Sequence, residues 1–559
     1  MKSLFSSLLL ITAFLLLCTF SFGQSKNWYD EKRTSDKPYS INTDEVYGNF
    51  LKGKKGQQVV VAVIDSGVDI EHEDLDDVIW TNFNEIPDNG IDDDKNGYID
   101  DIHGWNFIGG KDGSQVGPET LEMTRIYGQL REKYKDRDSS TLSKKELEEY
   151  KLFKEYGKQV DKQYKSAKEQ YEQFENEVVI LEPVVDYLDE ISQYRAVDEE
   201  LLDSLSEIEF RNPAIAANIL NYFLTEIGEI PSIQDIRAQL IEPNVAAMDH
   251  YGPIWKYRYN PDYDSRKEIV GDDPNNVHER DYGNNSLEGP DAMHGTHVSG
   301  IIAAERNNDI GINGISNNTR IMVLRAVPDG DERDKDVANA IRYAVENGAS
   351  IINMSFGKGQ SPNKQAVDDA VRYAEKHDVL MVHAAGNSGA QLEVSDNFPN
   401  DHFLKPKGFL FWKKKQPENW ISVGASGPSK KEDMAASFSN YGSQDVDVFA
   451  PGVMMYSTVP DNAYEIAQGT SMAAPVISGV AALIRSYFPT LTAVQVKEVL
   501  VESTIPIETL VTKPGSSELV AFSTLSVSGG IIDIANAVAL AARTKGKKKI
   551  KKAKMAERA

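Results

Sequence analysis

Short apolar runs punctuate the chain. Val59 to Ile64 is continuous and ends in Asp65, and similar runs follow at 321–324, 349–354, 379–385, 420–425 and 445–449. Each is too short for a helix and lacks the alternation of a half-wet strand, which predicts strands buried on both faces of a parallel sheet. Helical spacing in 335–347 and 364–377, between these runs, predicts an α/β fold with a mostly parallel central sheet.

The stretch from about 117 to 247 breaks this rhythm. Ser143 and Glu146 form a capping box, flanked by Leu142 and Leu147 as a hydrophobic staple. Val160, Tyr164, Ala167, Tyr171, Phe174 and Val178 then recur at spacings of four and three, one apolar stripe on one helix. A second start falls at Ser232 with Asp235, ahead of Ile236 and Leu240. Two or more amphipathic helices packed as a hairpin or small bundle are expected, with the tyrosine-rich stripe used for packing. The boundaries read as 24–56 for an N-terminal extension, 57–116 and 281–543 for two parts of one domain, 117–280 for a helical insertion, and 544–559 for a basic tail with seven lysines in 545–554.

Residues 1–23 have a different character. Lys2 precedes an apolar run from Leu4 to Leu17, and Ser21 and Gly23 are small residues at the −3 and −1 positions before Gln24. That is a secretory signal peptide, the run being short for a membrane anchor. The single cysteine, Cys18, lies inside it. The mature chain is therefore expected without disulfides or thiolate chemistry, and lipidation at Cys18 is disfavoured by Leu17 before it. A net charge of −26 argues against nucleic acid and anionic membranes as partners and supplies carboxylates for calcium.

Three segments carry candidate chemistry. Val63 to Asp69 places Asp65 at the C-terminal end of an apolar run, where active sites of open α/β sheets form. His294 to Gly300, HGTHVSG, leads into an apolar helix, as does Gly469 to Pro475, GTSMAAP. A serine hydroxyl is a poor nucleophile without a base, histidine titrates near neutrality, and a carboxylate orients the imidazole. His294 and His297 are three apart, but no glutamate follows the first as in a zinc helix. The chain order Asp, His, Ser is that of subtilisin-type triads.

These segments closely resemble the three active-site motifs of the subtilisin-like (subtilase) family, across roughly 57–110 and 285–500. The resemblance implies a three-layer α/β domain acting as a serine endopeptidase on protein or peptide substrates, with Asp65 as orienting acid, His294 as general base and Ser471 as nucleophile. Ala385-Gly386-Asn387 resembles the oxyanion segment, Asn387 being the side-chain donor. Ser355-Phe356-Gly357 resembles the edge that pairs with extended substrate. Asp74 and Asn308 match a calcium site. Separately, Asp92, Asp94, Asn96 and Asp100 have the spacing of the start of an EF-hand loop, with His103 where the closing glutamate would stand.

The chain departs from the family in three ways. Asp65 and His294 are 229 residues apart, 294 minus 65, the excess being the insertion, which is expected at the cleft edge to restrict access or dock a partner. Only residues 24–58 separate the signal from the first strand, so little autoprocessing is expected. An insertion at 397–418 carries Phe409, Phe411 and Trp412. A catalytically silent homologue binding peptides or partners through the insertion, and an esterase, are the competing readings. The first conflicts with the intact quartet Asp65, His294, Ser471 and Asn387, the second with the peptide-pairing segment.

Overall fold

The computed structural model describes residues 27–34, 39–194, 197–198, 200–201, 213–392, 397–408, 413–429 and 431–547. The signal segment with Cys18, the aromatic residues Phe409, Phe411 and Trp412, and the tail beyond 547 lie outside the described residues.

The expected buried strands form. β1 (Val59–Asp65), β2 (Gly104–Asn106), β3 (Thr319–Arg325), β4 (Ile351–Met354), β5 (Leu380–Ala384), β6 (Trp420–Ser426) and β7 (Val448–Pro451) belong to one nine-stranded sheet. The order is β7-β6-β5-β4-β1-β3-β2, and these neighbours are parallel. Two short strands at 505–506 and 530–531 finish the far edge. The last strand of the run read at 445–449 begins three residues later, at Val448.

The continuous apolar pattern follows from covering both faces. Val61 and Val63, with Ile321 and Val323, face one core. Ala62 and Ile64, with Met322 and Leu324, face the other. The first core is filled by α6 (Met293–Ala303), α9 (Thr470–Tyr487), α10 (Ala493–Glu502) and α11 (Ile534–Arg543). The second is filled by α7 (Asp334–Glu346) and α8 (Lys364–Lys376). Successive strand residues point to opposite faces, so one run feeds both layers. This is the three-layer α/β arrangement, carrying a helical insertion between Asp65 and His294.

The insertion holds α1 (Glu122–Tyr134), α2 (Lys144–Ser192), α3 (Pro213–Tyr222), α4 (Ile233–Leu240) and α5 (Glu242–Pro253). α2 has 49 residues, roughly 70 Å at 1.5 Å rise per residue. It starts at the expected capping box: Glu146 N donates to Ser143 Oγ at 3.4 Å and Ser143 N to Glu146 Oε2 at 2.9 Å. Its stripe is packing surface. Val160 and Ala167 are buried, Tyr164 and Tyr171 meet Trp255, and Phe174 stacks on Tyr251. The far end has its own small core, including Val184, Leu188, Leu220, Phe223 and Ile236.

Both limbs of the insertion are tied to the sheet domain. On the outgoing side, Asp329 N donates to Gly117 O and Glu119 N to Asp329 O, each at 2.9 Å. On the return, Arg266 is buried between the equally buried Asp272 and Asp336. Burying one guanidinium between two carboxylates satisfies a charge that would otherwise be costly to remove from water.

Candidate active site

β1, an interior strand, delivers Asp65 at its C-terminal end, and the first turn of α6 delivers His294 beside it. Asp65 Oδ1 accepts hydrogen bonds from His294 Nδ1 at 2.7 Å and from Ser66 N at 2.8 Å. Asp65 is 2% exposed, and its Oδ2 is buried without a hydrogen-bond partner. Burial alone would lower the His294 pKa, but the Asp65 charge and hydrogen bond outweigh it, and the imidazole is held above its ordinary value. His297 points elsewhere: its Nε2 lies 3.0 Å from Met455 O, and burial lowers its pKa to about 4. The two histidines therefore share no ligand-binding face.

Ser471 stands in the first turn of α9. Its Oγ donates to Ser355 O at 2.9 Å, while Ser355 Oγ donates to Ser471 O at 2.8 Å. The hydroxyl is thus parked on the backbone of Ser355 and not on the imidazole. Catalytic hydrogen bonds of this kind are often long or poorly aligned before substrate is bound. Ser355 is braced from below by Asn353 Nδ2 at 3.0 Å, and Asn353 Oδ1 accepts from Ser478 Oγ at 2.8 Å.

Asn387 is fixed by its oxygen. Its Oδ1 accepts from Thr470 N and Thr470 Oγ1, each at 2.9 Å, which leaves the amide N–H groups for the cleft. A side chain at Gly469 would place Cβ 3.3 Å from Asn387 Nδ2 and 3.6 Å from Ser471 N. Glycine there keeps open the space these two donors share. The preceding turn is scaffolded by two residues that sequence reasoning missed. Asn397 Nδ2 donates to the carbonyls of Ala384 and Ala385, both at 3.1 Å. Asn440 Nδ2 donates to Ala385 O at 2.9 Å, and its Oδ1 accepts from Ser388 N at 3.0 Å. Gly386 has φ +101°, and a Cβ there would come within 2.5 Å of Asn440.

Two cavities meet over these groups. One of about 450 Å³ is lined by Phe356, Gly357, Gly386, Asn387 and Ser471, and the other of about 260 Å³ by Asp65, His294 and Ser355. They share Val327 and Phe356. The first also touches Glu332 and Lys358, buried titratable groups with no signature in local sequence. Lys358 Nζ lies 2.7 Å from Glu122 Oε2 and 3.0 Å from Asp334 Oδ1. Burial pushes Glu332 up to about 8. Arg325, at the end of β3, donates to Ser66 O and Val116 O, and burial lowers it to about 10.

The acidic loop partly converges. Oxygens of Glu85, Asp92 and Asp94 lie within 4.8 Å of one another, with Glu85 buried. Three carboxylates at that spacing suit a hard divalent cation. Glu85 was not anticipated. Asp100 turns away and accepts from Asn89 N and Gly90 N, while Asn96 Oδ1 is taken by Tyr98 N. Asp74 and Asn308 do meet, but Asn308 presents its amide N–H to Asp74 Oδ1 at 2.8 Å, and Ile312 N bonds Oδ2. That pair is a closed hydrogen-bonded contact with one carboxylate.

The family model described as the subtilase family matches residues 56–530. The chain belongs to the subtilase family. Among curated subtilases, a thermophilic serine proteinase from Bacillus sp. (strain AK1) is 42% identical over 194 residues, which is 34% of this chain and 42% of that protein. Subtilisin DY from Bacillus licheniformis is 38% identical over 208 residues, 36% of this chain and 67% of that protein. Among solved structures, the prenylagaramide maturation protease PagA matches with 26% identity and a TM-score of 0.35, over 44% of this chain and 82% of that one. The matched segment spans 42% of the Bacillus sp. (strain AK1) proteinase and about half of several further subtilisins. No described helix is long and apolar enough to cross a membrane.

Proposed function

We propose that this protein is a secreted serine endopeptidase that hydrolyses peptide bonds in proteins through Asp65, His294 and Ser471. The observation that carries the reading is the 2.7 Å bond from His294 Nδ1 to Asp65 Oδ1, formed across 229 residues of sequence beside the cavity that holds Ser471. With Nδ1–H held by the carboxylate, Nε2 is the basic nitrogen and is available to the serine hydroxyl.

In the proposed reaction the substrate strand lies along Ser355-Phe356-Gly357, in the manner of an added β-strand. Ser471 Oγ leaves Ser355 O, gives its proton to His294 Nε2 and bonds to the scissile carbonyl carbon. The oxyanion is met by Asn387 Nδ2 and Ser471 N. The C–N bond then breaks as His294 returns the proton to the leaving amine. Water repeats the sequence on the acyl-enzyme, with His294 as base, and frees the new carboxylate. The Asp65 carboxylate stabilises the imidazolium.

Calcium belongs to the structural side of this proposal. Glu85, Asp92 and Asp94 are the residues that would hold it, and when bound the ion would neutralise the loop and rigidify its link to β2. Secretion rests on the signal-like residues 1–23. The catalytically silent reading finds one support, the Ser471 hydroxyl parked on Ser355 O. Incubating denatured casein with wild type and Ser471→Ala separates the two. Cleavage by wild type alone supports the peptidase, and intact casein with folded wild type supports the silent homologue.

A further inference from the structure

The insertion does more than leave the sheet domain near the triad. Residues 117–119 run as an added strand beside the loop 327–331, through the two Gly117, Glu119 and Asp329 backbone bonds. Leu121 N donates to Arg258 O at 3.0 Å, and Glu122 N to Asp331 Oδ2 at 2.7 Å. Arg125 adds donations to Thr120 O and Asp331 O. The first turn of α1 is therefore locked to the cleft edge from several directions, with the buried Glu122–Lys358 pair beneath it.

Behind that loop lies a third cavity, of about 420 Å³. Its insertion wall is Leu121, Gln163, Ile254, Arg258 and Tyr259, and its other wall is Pro328, Asp329 and Gly330. Pro328 and Asp329 also line the cavity of Asp65 and His294, and Gly330 also lines the cavity of Ser471 and Asn387. One short loop is thus the common partition of three cavities, two of which contain the candidate catalytic groups.

We infer that the insertion-side cavity is a remote substrate subsite that takes an apolar side chain of the polypeptide being cleaved. The inference rests on the peptidase reading and extends it to substrate selection. The chemistry of the walls sets the occupant. Leu121, Ile254, Pro328 and the ring of Tyr259 offer apolar surface, and burying an apolar side chain there removes it from water. The Arg258 guanidinium is met by the Asp329 carboxylate, so the pair leaves no excess charge to attract a charged group. An extended chain directs alternate side chains to opposite sides. A substrate lying over the 327–330 loop can therefore place one side chain toward Ser471 and another across the loop against the insertion. Because backbone hydrogen bonds from 117–121 hold Asp329 on one wall and Arg258 on the other, the subsite is pre-formed and adds selectivity at little ordering cost.

The test uses the full-length enzyme and two substrate classes built on the residues found at its casein cut sites. One is a tetrapeptide anilide. The other is a set of quenched decapeptides with Leu, Gly or Glu walked through each position outside the tetrapeptide. Wild type is expected to favour Leu over Gly at one such position by roughly tenfold in kcat/KM, the selectivity an apolar pocket typically gives. Gln163 is exposed on α2, so Gln163→Trp fills the cavity from outside and should bring the Leu/Gly ratio near one. Gln163→Arg should instead raise the Glu/Leu ratio at the same position. Absence of any positional preference in wild type, or a Leu/Gly ratio retained in Gln163→Trp, overturns the inference. If wild type fails to cleave even the tetrapeptide, the peptidase reading falls, and the subsite with it.

Discussion

Replacing Lys358 by Met tests how far the insertion and the cleft are energetically one object. The Lys358 side chain is 1% exposed and its Nζ bonds Glu122 Oε2 at 2.7 Å, Asp334 Oδ1 at 3.0 Å and Glu332 O at 2.8 Å. Burial alone would raise the Glu122 pKa, but Arg125 and Lys358 overcome it and hold the carboxyl at about 2, against an ordinary 4.5. At ~1.4 kcal/mol per unit, that shift corresponds to roughly 3 kcal/mol of folded-state stabilisation at neutral pH, shared by the two cations. Removing one partner of a buried ion network typically costs about 3–5 kcal/mol, because the remaining charges stay out of water. Methionine returns part of this through packing, so the expected loss is about 3 kcal/mol. The sign with pH follows from the depressed carboxyl. Its contribution is complete above the unfolded value near 4.5 and is lost as pH falls toward about 2. The gap between wild type and Lys358→Met should therefore be widest near neutrality and should close through that window. Urea unfolding followed by tryptophan fluorescence, in a Ser471→Ala background that prevents self-digestion, measures both. A loss below about 1 kcal/mol, or a gap that does not change between pH 7 and pH 3, would refute the reasoning.

Three further outcomes follow from the site. Asp65→Asn should reduce kcat by roughly 10³–10⁴ with little change in KM, since the imidazole loses its oriented tautomer. Because Asp65 raises the His294 pKa, the acid limb of the wild-type kcat/KM profile should lie above the ordinary imidazole value and shift to lower pH in that variant. Asn387→Ala should lower kcat by about 10²–10³ and spare KM, a magnitude itself established on subtilisin; equal losses in both substrate binding and turnover would contradict the oxyanion role. Calcium at 100 times its dissociation constant should stabilise wild type by about 2.7 kcal/mol, and Asp92→Asn with Asp94→Asn should abolish that increment in thermal melts. The same increment surviving in the double variant would remove the ion from this loop.

The parts of the architecture legible in sequence are those written in local periodicity. Val61 and Val63 against Ala62 and Ile64 announce a strand covered on both sides, and Ser143 with Glu146 announces the start of α2. The motifs around Asp65, His294 and Ser471 were legible because each is a short contiguous segment. What stayed hidden depends on long-range pairing. Glu122 and Lys358 are 236 residues apart, and neither has a local pattern to mark it as buried. Asn397 and Asn440 read as ordinary loop residues until the 384–388 turn is folded over them. Asp100 fits a calcium spacing, yet its carboxylate is spent on the turn at Asn89 and Gly90, while Glu85 arrives from outside the apparent motif. The hairpin of β8 (Met455–Val459) and β9 (Ala463–Ala467) was also missed, because β9 is largely exposed and carries no apolar alternation.

The central claim is that Ser471 is a nucleophile activated by His294. Fluorophosphonate labelling of the purified protein, with the adduct mapped by mass spectrometry in wild type, Ser471→Ala and His294→Ala, tests it most directly. The account predicts an adduct on the Ser471 peptide of wild type, none in Ser471→Ala and a strongly slowed reaction in His294→Ala. An unlabelled wild type that is demonstrably folded, or an adduct on another residue, would contradict it.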